Sequence, residues 1–214
     1  MPMKKILICD DHSIIRRGLK FLLTNHFKNY EIAEVHSIKD AMSHIKTNKT
    51  DFAILDLQLS DGNMIETLPN LIALFPTLDI LIFSMSNEEI YAKKVLQIGA
   101  KGFLNKNADE EEVLRALKIF LSGQNYISQK LNDIIVNELR GNSKKVSENP
   151  FTSLSNREIE VTRYLLEGVQ VKDISKYMNL STNTIVTYKY RLFEKLAIRS
   201  LVDLSDLARI YNLK

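Results

Sequence analysis

The feature that most restricts the fold is an alternation within the first 121 residues: five short aliphatic runs separated by longer stretches of helical periodicity. The runs are residues 5–9, 31–35, 52–55, 80–84 and 102–104. Each is too short and too apolar to be a solvent-facing helix, and each reads as a strand covered on both faces. Residues 14–27, 38–46, 64–75, 88–98 and 109–121 follow them with apolar side chains three and four apart, the spacing of one helix face. Parallel strands need crossovers of this length. The alternation therefore predicts a doubly wound α/β domain around a five-stranded parallel sheet. Ser86 and Glu89 stand at capping-box spacing before the fourth helix.

Beyond Gly123 the pattern changes. Residues 128–139 read as another amphipathic helix, and residues 141–150 are polar with Gly141 and Pro150, which predicts a linker. No strand signal follows; residues 155–167, 171–178, 182–196 and 201–211 read as short helices, with Ser155 and Glu158 forming a second capping-box pattern. The expected organisation is a domain over residues 1–121, a linker helix and flexible linker over 122–150, and an all-α domain over 151–214. Charge divides with it: residues 1–120 carry 15 Lys and Arg against 16 Asp and Glu, residues 151–214 carry 10 against 7. A basic second domain points toward nucleic acid.

Several classes are set aside. With 45% hydrophobic and 26% charged residues the chain is too apolar to be disordered. No apolar run reaches the roughly 18 residues of a membrane span, and the start lacks the apolar core of a signal peptide, so a cytoplasmic protein without membrane contact is expected. Cys9 is the only cysteine, which excludes an internal disulfide and suggests a buried thiol. The four histidines, His12, His26, His36 and His44, lack metal-ligand spacing and are expected at the surface.

In a doubly wound sheet the carboxyl ends of the strands line the ligand crevice. Here that edge is polar. Asp10 and Asp11 follow the first strand, Asp56 the third, Ser84 ends the fourth, and Lys106 follows the fifth; Asp61 is expected on a loop. Three carboxylates in one crevice repel one another, and Mg2+, which takes carboxylate oxygens and water, would relieve that repulsion. A lysine and a hydroxyl on the same rim suit phosphoryl oxygens. Taken singly, Asp10 could be a helix cap, Ser84 a cap and Phe103 plain core.

With these motifs, residues 4–121 resemble the receiver domain of response regulators: the acid pair in Cys9-Asp10-Asp11-His12, the central Asp in Ile54-Leu55-Asp56-Leu57, the Ser84 before a helix, and Lys106 closing Gly102-Phe103-Leu104-Asn105. The resemblance implies that Asp56 accepts phosphate from a histidine kinase. It implies that Asp10, Asp11, Asp56 and the backbone carbonyl of Gln58 hold Mg2+, with Asp10 acting mostly through water. It further implies that Lys106 pairs with the phosphoryl group and that Ser84 and Phe103 form a switch pair. Two positions depart from the family: Ser60 stands where Pro is usual and Met64 where Gly is usual. An aspartyl-phosphate hydrolase of the haloacid dehalogenase type would share the Asp nucleophile and Mg2+, but it places an acid two residues on, where this chain has Gln58.

Residues 154–212 resemble the LuxR-type DNA-binding domain, through Leu154-Ser155-Asn156-Arg157-Glu158, Glu167-Gly168-Val169-Gln170-Val171-Lys172-Asp173-Ile174, and Leu180-Ser181-Thr182-Asn183-Thr184-Ile185. Receiver plus this domain is the NarL/FixJ arrangement. In the helix over 182–196, Ile185, Tyr188, Leu192 and Leu196 recur at core spacing. Thr182, Asn183, Val186, Thr187, Lys189, Tyr190 and Arg191, with Lys172 and Lys195, are the candidate contacts to double-stranded promoter DNA, although Tyr190 could equally be core. Val186 and Tyr188 stand where the family often has Lys and His. The implied function is a transcription factor, homodimeric on phosphorylation. The alternative is a phosphorylation-independent DNA-binding protein whose receiver only dimerises.

Overall fold

A computed structural model describes residues 3–139, 149–196, 198, 200–211 and 213. The chain divides into two compact units, Met1–Ile134 and Ile135–Lys214. All but Asn149 and Pro150 of the segment expected to be a flexible linker lies outside the described residues.

The first unit is the expected doubly wound domain. Its elements are β1 (Lys4–Cys9), α1 (Ser13–His26), β2 (Tyr30–Val35), α2 (Ile38–Thr47), β3 (Phe52–Leu55), β4 (Gln58–Leu59), β5 (Gly62–Asn63), α3 (Met64–Leu74), β6 (Asp79–Ser84), α4 (Glu88–Ile98), β7 (Gly102–Asn105) and α5 (Glu110–Leu121). The sheet is parallel in the order β2-β1-β3-β6-β7, so the direction of winding reverses between β1 and β3. Alternation along the strands supplies two cores. Ile6, Ile8, Phe52, Ile54, Leu81, Phe83 and Leu104 pack with Leu19 and Leu23 of α1 and Val113, Leu117 and Phe120 of α5. The intervening Leu7, Cys9, Ala53, Leu55, Ile80, Ile82 and Phe103 are equally buried and, by the period of two, face the other side. Cys9 is the buried thiol that its place in the strand predicts.

Local chemistry sets the helix ends. Ser37 accepts from Asp40 N, Asn63 from Ile65 N, and Asp109 from Glu112 N, each filling an orphan donor of a first turn. The expected Ser86–Glu89 box is not formed: Asn87 caps α4, because Ser86 is buried and its hydroxyl is taken by Ser84 Oγ at 3.3 Å. Residues 58–63 close as a two-stranded hairpin rather than an open loop. Its turn is made possible by Gly62 at φ 150. The hairpin also delivers Asp61 to α2, where its carboxylate accepts from Ile38 N at 2.9 Å and Lys39 N at 3.1 Å. That carboxyl is held below the usual range. Desolvation works against this, but the two amides and the start of α2 outweigh it.

After α5, Tyr126 bridges to Gly102, and α6 (Gln129–Leu139) follows. The second unit has a short 3-10 turn over Pro150–Ser153, unforeseen in the sequence, and then α7 (Asn156–Leu166), α8 (Val171–Tyr177), α9 (Thr182–Lys195) and α10 (Leu201–Ile210). Ser155 and Glu158 form the predicted capping box. Val161, Leu165, Ile174, Ile185, Leu192, Leu204 and Leu207 are buried. Among the described residues no helix is long and apolar enough to cross a membrane.

Gly102 shows how tightly the sheet edge is closed. A Cβ there would lie 2.9 Å from the carbonyl oxygen of Tyr126 and 3.0 Å from Leu81 Cδ1. Gly102→Ala is expected to destabilise the first unit by about 1–3 kcal/mol, the usual cost of overpacking, read as a lower urea midpoint at an unchanged m-value.

Candidate functional site

The carboxyl ends of β1, β3, β6 and β7 bring the predicted residues together. Asp10, Asp56 and Lys106 are nearly inaccessible, at 2%, 4% and 3% side-chain exposure, although all three are charged types that are rarely buried unpaired. They are paired with one another. Lys106 Nζ donates to Asp56 Oδ2 at 2.6 Å and stands 2.6 Å from Asp10 Oδ2. Backbone bonds fix the frame: Asp56 N donates to the Cys9 carbonyl at 2.9 Å and Lys106 N to the Ser84 carbonyl at 3.0 Å. Gln58 N donates to Asp56 Oδ1 at 3.3 Å, which sets the start of the hairpin against the central acid.

The electrostatics follow from this crowding. Burial pushes the Asp56 carboxyl above the usual carboxylate range, and Asp10 adds repulsion; the Lys106 ammonium and the Ser84 hydroxyl pull in the opposite direction without cancelling it. Three carboxylates against one ammonium leave two negative charges. Asp10 Oδ2 is held by the Lys106 ammonium at 2.6 Å, and Asp11 Oδ1 lies 2.8 Å from His12 Nδ1. A divalent cation would balance the remaining negative charge, and one ligand atom from each of Asp10, Asp11, His12 and Asp56 falls within 4.8 Å of the others.

Ser84 is buried beside Asp56, and Phe103 lies two residues back along the neighbouring strand, where Ile82 pairs with Phe103 and Ser84 with Asn105. The Phe103 ring is buried. Two contributors escaped the sequence reading. Arg16 reaches back from α1 so that Nη1 donates to the Asp10 carbonyl at 2.6 Å, a contact signalled by its place one turn after His12. His12 is exposed as expected, but its ring meets the acid pair, and adjacency to Asp10 and Asp11 was the available signal.

The second unit presents a helix-turn-helix. Met178 ends α8, Asn179 turns the chain at φ 52, and Ser181 caps α9 by accepting from Thr184 N. Ile185, Leu192 and Leu196 face the core, while Tyr188 is only half-buried. Thr182, Asn183, Val186, Thr187, Tyr190 and Arg191 are exposed, and their spacing by four makes one continuous stripe along α9. Tyr190 is on this stripe, not in the core, at 64% exposure, with its hydroxyl donating to Glu194 Oε1 at 3.1 Å. Lys189 lies over the Phe193 ring at 5.5 Å, and Lys172 is exposed on α8. Lys195 is exposed but ion-paired to α7: its ammonium donates to Glu158 Oε2 at 2.7 Å. Burial raises the Glu158 carboxyl, but Lys195 and the Ser155 cap outweigh it and hold the group below its ordinary range.

Comparison with known proteins agrees with both halves. Residues 6–118 match the response regulator receiver domain, and residues 152–208 match the luxR family of bacterial regulatory proteins. The chain is 30% identical over 214 residues to the Fimbriae Z protein of Escherichia coli K12, with both covered in full. It is 31% identical over 206 residues to the response regulator UvrY of the same strain, spanning 96% of this chain and 94% of that one. RcsB of Salmonella enterica serovar Typhimurium, solved on a promoter in the presence of the phosphomimetic BeF3−, shares the fold with a TM-score of 0.67 at 22% identity, covering 97% of this chain and 98% of RcsB.

The raised Asp56 carboxyl has a stability consequence. A folded-state pKa above the unfolded value means that the native protein binds more protons, so this group's contribution is present at low pH and is lost as pH rises through the folded value. In metal-free protein at pH 7, Asp56→Asn is expected to raise the urea midpoint. That gain should shrink as the pH is lowered and Asp56 becomes protonated in the wild type.

Proposed function

The chain belongs to the response regulators, as a receiver domain joined to a LuxR-type DNA-binding domain in the NarL/FixJ manner, and from this premise we propose that phosphorylation of Asp56 controls its engagement of promoter DNA. The observation that carries the reading is the buried Asp56 with the Lys106 ammonium 2.6 Å away. An Asp56 carboxylate oxygen attacks the phosphorus of a kinase phosphohistidine and the P–N bond breaks. The imidazole leaves with the electron pair and takes up a proton, and Asp56 becomes an acyl phosphate. Asp10, Asp11, Asp56 and the Gln58 carbonyl would hold Mg2+, which supplies charge neutralisation to the phosphoryl oxygens. Lys106 turns from the carboxylate to the new phosphoryl group. The Ser84 hydroxyl leaves Ser86 for a phosphoryl oxygen, and the Phe103 ring is held inward.

This switch biases a pre-existing equilibrium toward a receiver state that pairs two copies, so that two α9 helices meet two half-sites. The stripe from Thr182 to Arg191 enters the major groove, while Lys172 and Lys189 take phosphates. Lys195, bound to Glu158, secures the back of α9. The domains are assigned as residues 1–121 and 151–214 with 122–150 between them, and the site of action is the cytoplasm, where kinase and DNA meet. The reading of the receiver as a dimerisation module without phosphate gains nothing from Ser60 and Met64. Ser60 is exposed at the hairpin turn, and Met64 is buried with its amide donating to the Leu57 carbonyl at 2.8 Å.

Two measurements test this reading. Intact-mass analysis after acetyl phosphate and Mg2+ should show a labile phosphoryl adduct on the wild type and none on Asp56→Ala. An adduct on the variant, or none on the wild type, removes Asp56 from its role. On DNA selected by the wild-type protein, Arg191→Ala should weaken binding by about tenfold or more, consistent with roughly 1–3 kcal/mol for a base-reading side chain. Unchanged affinity would move the DNA contact away from α9.

A further inference from the structure

Docking in a groove and contact with phosphates do not account for what lies along the middle of α9. At about 100° per residue, Val186, Thr187 and Tyr190 fall within an arc of about 100° around the helix axis. Val186 is 52% exposed and Tyr190 64%, and Thr187 is exposed beside them. One exposed apolar side chain is ordinary. Three residues of modest helix propensity on one solvent face are not, because Ala, Glu or Lys there would make a more stable helix. The polar groups of this face are also turned to the protein. The Thr187 hydroxyl donates to the Asn183 carbonyl at 2.9 Å, which spends the donor on the helix itself and leaves the methyl. The Tyr190 hydroxyl donates to Glu194 Oε1 at 3.1 Å, which leaves the ring. Thr182, one turn before Val186, donates to Ser175 Oγ of α8 at 3.4 Å. The middle of the stripe is therefore methyl and ring surface, with Asn183 at its head and Arg191 at its flank.

In the major groove guanine, adenine and cytosine present hydrogen-bonding groups, and thymine alone adds an apolar one, its 5-methyl. We propose that α9 selects a thymine in each half-site by seating that methyl on Val186, the Thr187 methyl and the Tyr190 ring. This rests on the reading of α9 as the helix that enters the major groove, and it adds the base recognised there. Another base at the same place would press a donor or acceptor against apolar surface, where it loses water and finds no partner. Thymine loses nothing of that kind and buries a methyl. The departure at position 186 takes on a meaning here: a lysine would bring a donor suited to guanine or phosphate, whereas valine brings two methyls.

The experiment uses the full chain and the DNA that the wild type selects from a random pool. Each thymine of the half-sites is replaced in turn by deoxyuridine, which pairs identically and lacks only the 5-methyl. At one position the wild type should lose about fourfold in affinity for each half-site, the worth of one buried methyl. In Val186→Ala the ratio between thymine and deoxyuridine DNA should fall toward one. Alanine is the better helix former at this exposed position, so the variant should keep its urea midpoint. An effect of deoxyuridine on DNA flexibility would persist in the variant, and an unchanged ratio therefore overturns the contact. So does a selected site in which no thymine is sensitive, and if Arg191→Ala still weakens binding, α9 stays in the groove. Indifference to both deoxyuridine and Arg191→Ala overturns the thymine contact and the place of α9 together.

Discussion

The Lys106 ammonium between Asp10 and Asp56 is the contact on which the rest of the receiver depends. Three buried charges carry a desolvation cost of several kcal/mol per ion, offset only when their geometry is held closely. The sheet holds it. Asp10 follows β1, Asp56 follows β3 and Lys106 follows β7, and the parallel register pairs Cys9 with Leu55 and Ser84 with Asn105 at the very ends of those strands. A one-residue slip in any of them would turn its functional side chain to the other face. The ammonium neutralises one of three carboxylates, and the negative charge that remains suits a divalent cation. Under the proposed mechanism the same crevice receives a phosphoryl group, which brings further negative charge to a place where Lys106 already stands.

Much of this was legible before any coordinates, because the signals were local. A strand buried on both faces is a continuous apolar run, and all five runs became sheet strands within a residue of their expected bounds. The acids, Ser84 and Lys106 were legible for a related reason: each stands immediately at a strand end, and the doubly wound topology places those ends together. What escaped depended on distance in sequence or on competition. Asp61 caps α2 from 23 residues away, a partnership that no period reports. Ser86 and Asn87 are both good caps, and only the burial of Ser86 against Ser84 decides between them. Tyr188 has core spacing but is only half-buried, because helical period reports which face a residue is on and not how far its neighbours cover it.

The departures from the family pattern fall in places where the structure absorbs them. Pro at position 60 would preset a turn, yet the hairpin closes on Gly62 and the Asp61 carboxylate, which anchors the turn to α2. Met64 takes its place in the core at the first turn of α3. The loop beside Asp56 is therefore tied at both of its ends, by Gln58 N to Asp56 and by Met64 N to the Leu57 carbonyl, and its unusual residues do not loosen the acid they flank.

On the DNA side the same charge accounting has a mechanistic consequence. Of the cations on α8 and α9, Lys176 is paired with Asp173 and Lys195 with Glu158, which leaves Lys172, Lys189 and Arg191 without an ion pair among the described residues. Glu194 stands one turn beyond Tyr190, on the same side of the helix. Phosphate neutralisation supplies nearly all non-specific affinity, so under the proposed DNA contact a face with so few available cations is expected to hold DNA weakly as a single copy. Its stripe is instead rich in group types able to contact base edges: Thr182, Asn183, Thr187 and the methyls of Val186. A domain with discrimination but little electrostatic hold gains most from being doubled, since two half-sites add their free energies while the cost of bringing the copies together falls on the receiver. Under the proposed mechanism that division is what gives Asp56 control. The weaker the single domain, the more completely occupancy follows the pairing that the phosphoryl group favours.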